Sequence, residues 1–210
     1  MTSEAINKPI KLEDLDTSLS CLRIIRPVQL KMMQESLERL GQLNPVVVRR
    51  EDNIFQVLDG FKRYWAAERL GWEDLQARIL DIPITYGKAM ILNYNKTTRS
   101  LLDYDEALVV YSLKKDHMMD QGAISKLTGY SRSWVCRRLG LIERLSEVVQ
   151  QEMRMGMISN SQARAIVKLP RGNQEIIMRV IITHNLTSRD SSVLIEKYLQ
   201  SSSKSEQEYI

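Results

Sequence analysis

The chain has 210 residues, 43% of them apolar and 27% charged, a balance that excludes wholesale disorder, a disulfide scaffold and a fibrous repeat, and leaves room for one large or two small cores. No apolar run approaches the ~18 residues of a membrane span, and the first twenty residues carry no basic-then-apolar signal region, so the expectation is a cytoplasmic protein that does not enter a membrane. Net charge is only +4, but from Gln121 to Pro170 eight basic residues face three acidic ones, an excess that suits a polyanion or a solvated helix face. Cys21, Cys136, His117 and His184 are the only cysteines and histidines; their spacing predicts reduced thiols and no metal site.

Residues 1–20 are polar and lack hydrophobic period, which predicts a flexible arm. Apolar residues at Leu30, Met33, Leu37 and Leu40 lie on one helix face, with Gly41 placed as a left-handed cap. Pro45 to Val48 and Ile54 to Leu58 read as neighbouring strands joined by a turn at Glu51-Asp52-Asn53. Gly60 then precedes a helical stripe of Tyr64, Trp65, Ala67 and Leu70 closed by Gly71, and Leu75 to Ile82 returns to strand character. Helix, strand, strand, helix, strand over residues 21–86 predicts a small mixed α/β domain.

Past Pro83 the strand signals stop. Helices are predicted over Lys88 to Asn95, Asp105 to His117, Gln121 to Leu127, Ser131 to Leu141, Ser146 to Met155, Ser161 to Leu169, Glu175 to His184 and Arg189 to Leu199. Ser146 and Ser188 are expected N-caps, and Gly156 and Pro170 stops. Residues 87–199 therefore read as an all-helical domain, and 200–210 (QSSSKSEQEYI) as a flexible tail. The fold class expected is α+β.

Within 121–141, Ser125 stands four positions before Gly129, and Ser131 opens the next helix. Two helices meeting at a sharp angle need this: a small residue at the crossing, a glycine for the left-handed turn and a hydroxyl to cap the second helix. Ile124, Val135 and Leu139 would face inward, leaving Arg132, Ser133 and Arg137 outward at the start of a recognition helix, with Lys126 and Arg138 toward phosphates or the surroundings of the turn. Lys126, Ser131, Arg132, Ser133, Arg137 and Arg138 are thus the candidate DNA-binding residues. An ordinary helical corner with exposed arginines shares the pattern.

Upstream, Leu58-Asp59-Gly60-Phe61-Lys62-Arg63-Tyr64-Trp65-Ala66-Ala67 sets a glycine and two cations between a strand and a helix, which suits a phosphate group and equally suits a plain turn with solvated cations. Gly41-Gln42-Leu43-Asn44-Pro45, Gly60-Phe61-Lys62-Arg63-Tyr64-Trp65-Ala66, Tyr94-Asn95-Lys96-Thr97-Thr98-Arg99 before Asp105-Glu106-Ala107, and the helix-turn-helix follow one another in an order that resembles the ParB-type partition proteins from about residue 22 to 199. The later stretches SQARAIVKLP and NLTSRDSSVLIEKYL resemble that family's later helices. The resemblance implies a ParB/sulfiredoxin-like N-terminal domain before a DNA-binding domain, and CTP with Mg2+ bound by residues matching Gly60, Lys62, Arg63 and Asn95. It also implies a homodimer on double-stranded DNA, a partition ATPase as partner, a nucleoid-associated location and weak CTPase activity. Three positions depart from the pattern: Phe61 replaces a glutamate, Lys62 an arginine and Tyr94 the metal-side glutamate, which removes a planar phosphate fork and a magnesium ligand.

The function expected is sequence-specific DNA binding in plasmid or mobile-element partition, maintenance or regulation, gated by CTP. One alternative is a transcription regulator independent of nucleotide. A second is a small-molecule kinase on the same scaffold, for which Asp59 and Glu68 are the nearby carboxylates. No catalytic Ser-His-Asp, Cys-His or paired-carboxylate set is defended by spacing.

Overall fold

In the computed structural model, residues 6–52, 54–94 and 102–201 are described. The N-terminal half is a five-stranded mixed sheet in the order β1-β5-β3-β4-β2, formed by β1 (Ile6–Lys11), β2 (Leu15–Asp16), β3 (Val46–Glu51), β4 (Ile54–Asp59) and β5 (Asp74–Leu80). The hairpin predicted between β3 and β4 is present, with Asp52 in the left-handed region at its turn (φ 51°). β3 runs parallel to β5, pairing Val46 with Ala77 and Val48 with Ile79. Central β3 is covered on both faces, and Val46 and Val48 are fully buried, as expected of a strand that reads as a continuous β-branched run.

Two helices attach to this sheet. α1 (Pro27–Leu40) begins earlier than its apolar stripe indicates, because Pro27 supplies the preset φ of a first helical position, and it ends at Gly41 (φ 68°). α2 (Phe61–Arg69) packs beside α1 and starts directly from Gly60.

The expected flexible arm is corrected by the structure over residues 6–20. β1 pairs antiparallel with β5 from Ile6↔Ile79 to Lys11↔Asp74, and β2 pairs parallel with β4. A short 3₁₀ helix then buries Leu19 and Leu22. This segment takes its order from backbone pairing with a strand some seventy residues away, and Pro9 is tolerated because β1 lies at the sheet edge.

The helical half comprises α3 (Ile84–Tyr94), α4 (Asp103–Asp116), α5 (Gln121–Thr128), α6 (Arg132–Glu143), α7 (Glu147–Met155), α8 (Asn160–Ile166), α9 (Arg171–Thr183) and α10 (Ser188–Gln200). Ser146 caps α7 and Gly156 ends it in the left-handed region, whereas Thr187, rather than Ser188, caps α10. Pro170 occupies the N-cap position of α9. The proposed tail beyond Ser201 lies outside the described residues.

The apolar core does not divide at residue 86. One hydrophobic cluster joins sheet residues such as Val48, Leu58 and Ile79 to Leu92, Leu113, Ile124, Val135 and Leu139. A second gathers Tyr104, Ala107, Leu141, Leu145, Ile166, Ile181 and Ile195. The helix-turn-helix is therefore seated on the sheet's own core by way of α3 and α4, and α7 to α10 pack among themselves and onto α4 and α6 through the second cluster.

Candidate nucleic-acid interface and phosphate cleft

The turn between α5 and α6 is specified by side chains that satisfy free backbone groups. Asp120 accepts from the Ala123 amide at 2.7 Å and Ser131 from the Trp134 amide at 3.2 Å. Gly129 (φ 75°) sends its N–H to the Ser125 carbonyl at 2.9 Å. The Ser125 hydroxyl donates to the Tyr130 carbonyl at 2.6 Å, so Ser125 ties the corner together as well as being small enough to fit it. Ile124, Val135 and Leu139 are buried to 0%, 0% and 1% exposure, which fixes the rotation of α6.

That rotation leaves Arg132, Ser133, Cys136 and Arg137 exposed, with Lys126 exposed on α5. Ser131 is exposed too, but its oxygen serves the cap and lies 3.0 Å from the Ser133 hydroxyl. Arg138 is the correction. It lies on the inner side of α6 with its side chain 10% exposed, its Nε donating to Glu106 at 2.6 Å and its Nη2 to Asp103 at 3.1 Å. The guanidinium also sits 5.0 Å over the Trp134 ring, which itself stacks on Tyr130 at 3.9 Å. Val135, Arg138 and Leu139 are close neighbours on one helical face, so an arginine next to an apolar pair is drawn inward once α4 supplies carboxylates. Those carboxylates, with Asp105, occupy the first turn of α4, where the helix dipole favours them. Burial pushes the Glu106 carboxyl above its ordinary value, and Asp103 also receives Arg164 from α8.

The second site is a cleft at the start of α2. It measures about 350 Å3 and is lined by Arg23, Gly41, Asp59, Gly60, Lys62 and Tyr94 among others. Gly60 adopts φ 104°, and a Cβ there would come within 2.7 Å of Val46 Cγ1, so the strand-to-helix turn accepts only glycine without movement. Phe61, in contrast, turns away from solvent at 2% exposure and packs its ring 6.1 Å from that of Trp65.

Arg63 departs from the expectation that it is the main phosphate partner. Its Nη1 donates to the Asn44 carbonyl at 2.7 Å and to the Pro45 carbonyl at 2.5 Å, and its Nη2 to Asp59 at 2.7 Å. These bonds pin α2 to the Gly41-to-Pro45 turn, which Gln42 ties to β5 by accepting from the Gln76 amide and donating to its carbonyl, both at 2.8 Å. Lys62 does line the cleft, half-buried, and burial together with the Arg23 charge holds its ammonium below the usual lysine range. Asn95 lies outside the described residues.

Arg23 is the cleft residue that sequence reasoning missed. Its side chain is 7% exposed, and its Nε, 4.0 Å from Asp105 Oδ2, has no hydrogen-bond partner. Asp105 is engaged elsewhere, accepting from the Ile24 amide at 2.8 Å and the Leu102 amide at 3.1 Å. No local pattern marks Arg23, because the segments that surround it are distant in sequence.

The donors present do not suit magnesium. A hard dication needs several oxygen ligands, with anionic ones foremost, yet the cleft's carboxylate is that of Asp59, and it is bonded to Arg63. Tyr94 supplies a phenol that burial keeps protonated to higher pH than usual. Among the described residues no group of three or more His, Cys, Asp or Glu side chains could hold a metal ion.

Two family models match the chain in succession, the ParB N-terminal domain over residues 1–95 and the ParB HTH domain over residues 99–200. A nucleoid occlusion protein of Oceanobacillus iheyensis is 29% identical over 73% of this chain and 54% of its own length. A probable chromosome-partitioning protein ParB of Pseudomonas putida is 26% identical over 84% of this chain and 61% of its own. The chain thus spans between half and two thirds of the curated relatives it matches. The solved C-terminally truncated ParB of Caulobacter crescentus, complexed to the centromeric parS site, is similar in fold: the TM-score is 0.53 at 23% identity, covering 90% of this chain and 99% of that one. With both domains in the family's order, on a mixed sheet followed by a helix-turn-helix, the chain belongs to the ParB-like partition proteins.

Proposed function

We propose that this chain is a sequence-specific DNA-binding protein of partition or nucleoid organisation that reads duplex DNA with α6. The observation that carries the reading is the set of outward Arg132, Ser133 and Arg137 on a helix whose inward side is locked by Val135, Arg138 and Leu139. A rigid helix with free cations in its first turns enters the major groove and offers guanine a bidentate arginine, worth about 1–3 kcal/mol of discrimination per contact. Lys126 supplies a phosphate contact from α5. The parS complex of the Caulobacter relative and the names of the curated relatives support this reading.

The same reading assigns the Gly60 cleft to the phosphates of a nucleotide, CTP by family resemblance, and makes the working unit a homodimer. Whether the DNA is a plasmid, a mobile element or a chromosome is decided by sequencing the fragments recovered with the protein. Recovery of one recurrent site whose enrichment disappears in Arg137→Ala supports base reading; uniform genomic coverage by the parent protein sinks it.

A further inference from the structure

The described residues around the Gly60 cleft carry positive charge with little to balance it. Arg23 and Lys62 both line the cavity; burial and the Arg23 charge disfavour the Lys62 ammonium, burial disfavours the Arg23 guanidinium, and Asp59 offsets part of each. Arg23 is more than nine-tenths buried with Nε unpartnered, and Asp105, its nearest carboxylate at 4.0 Å, already accepts two backbone amides. Asp59 is committed to Arg63. A buried cation beside a half-buried one of the same sign is costly to hold, and an anion entering between them offsets that cost. The start of α2 faces the same space: Gly60, Phe61, Lys62 and Arg63 line it, and no side chain caps that helix, so its leading amides add partial positive charge.

From this we infer that the cleft binds the polyphosphate of a nucleotide without a divalent cation, Arg23 and Lys62 supplying the neutralising charge. The inference rests on the reading of the cleft as a phosphate site. It differs from that reading in naming how the ligand's charge is met. A magnesium ion at a nucleotide is held by phosphate oxygens, waters and one or two protein carboxylates; among the described residues this cleft offers two positive charges of its own, and its one carboxylate, Asp59, is bonded to Arg63. Arginine at the buried position and lysine at the half-buried one also fit the two roles: a fixed fork that can grip two oxygens, and a movable point charge.

Calorimetric titration of the full chain with CTP tests it, once in magnesium and once in excess EDTA, with cognate DNA present in both. The expected result is the same affinity in the two buffers. Arg23→Ala and Lys62→Ala are each expected to weaken binding at least about tenfold, the equivalent of one charge-assisted hydrogen bond, in both buffers alike. Melting curves of the two variants separate loss of the ligand from loss of the fold, and Lys62, being half-exposed, is the safer substitution. Tyr94→Glu places a carboxylate on the cleft wall and is expected to make binding weaker in EDTA than in magnesium, a dependence the parent lacks. Binding by the parent that disappears in EDTA overturns the inference and leaves the phosphate reading intact. No saturable heat in either buffer overturns both.

Discussion

The two sites of this molecule use cations in opposite ways. On α6 the arginines that face outward are exposed, and the one that faces inward, Arg138, is consumed by Asp103 and Glu106. In the cleft, the arginine placed closest to the glycine turn, Arg63, is consumed by structure, and the charge left over comes from half-buried Lys62 and from the deeply buried Arg23, whose Nε has no hydrogen-bond partner. An exposed cation on a rigid helix is free to find a partner of any sequence, whereas a buried one binds only what can reach it. The first arrangement suits a long polyanion, the second a small one.

The glycines of the two turns offer the sharpest break of that comparison. Gly60→Val combines a left-handed backbone with a Cβ that meets Val46 Cγ1 at 2.7 Å, and is expected to destabilise the fold by about 3 kcal/mol or more. Gly129 shares the left-handed backbone (φ 75°) but has nothing within 4 Å of an added Cβ, so Gly129→Ala is expected to cost only about 1 kcal/mol. Urea denaturation measures both; equal losses would mean that the Val46 contact relaxes freely.

Adjacent arginines sharpen it further. Arg138→Ala leaves the partly buried Glu106 without its partner, while Asp103 keeps Arg164, and is expected to cost about 2–3 kcal/mol of stability, with any loss of DNA affinity equal on cognate and random duplex. Arg137→Ala is expected to leave stability within about 0.5 kcal/mol and to weaken the cognate site selectively, while Lys126→Ala weakens all duplexes and reduces the salt slope by about one unit. Selective loss from Arg138→Ala in a folded protein would move the reading face of α6 around the helix.

The smallest effect concerns pH. Burial holds the Asp105 carboxyl above the ordinary value of 3.8, while the Ala123 and Gly122 amides hold the exposed cap Asp120 below it. A carboxyl raised on folding binds extra protons in the native state, so its contribution to stability falls as pH rises from 3.8 through the folded value; a lowered one contributes fully above 3.8 and loses its contribution as pH falls through the folded value. Stability measured against pH for Asp120→Asn is therefore expected to converge on the parent in acid. The advantage of the parent over Asp105→Asn is expected to shrink as pH rises across the same range.

The helix-turn-helix was legible in the sequence because its determinants are local: Ser125, Gly129 and Ser131 each act on backbone groups no more than five residues away. The α/β unit was legible for the same reason, through the β3–β4 turn and the glycines that end α1 and begin α2. The cleft's lining was legible at Gly60, Lys62 and Arg63, but the bonds that engage Arg63 were not. What Arg63 does depends on carbonyls eighteen and nineteen residues upstream, and what Arg23 does depends on a carboxylate in α4 whose neighbouring bond to Ile24 spans 81 residues. Arg138 was misjudged on similar grounds, since its partners lie thirty-two and thirty-five residues away. Outward and inward arginines look alike until the facing helix is known.

Both outer strands of the sheet, β1 and β2, come from residues 6–16. Deleting that stretch would uncover β5 on one side and Phe55 and Gln56 of β4 on the other, leaving neither edge strand covered by β1 or β2. A sheet open at one edge can satisfy itself by pairing once, but a sheet open at both can add copies at either end without closing. Residues 6–16 thus guard this domain against edge-to-edge growth, and a chain lacking them is expected to sediment as an open-ended series, with no single larger species.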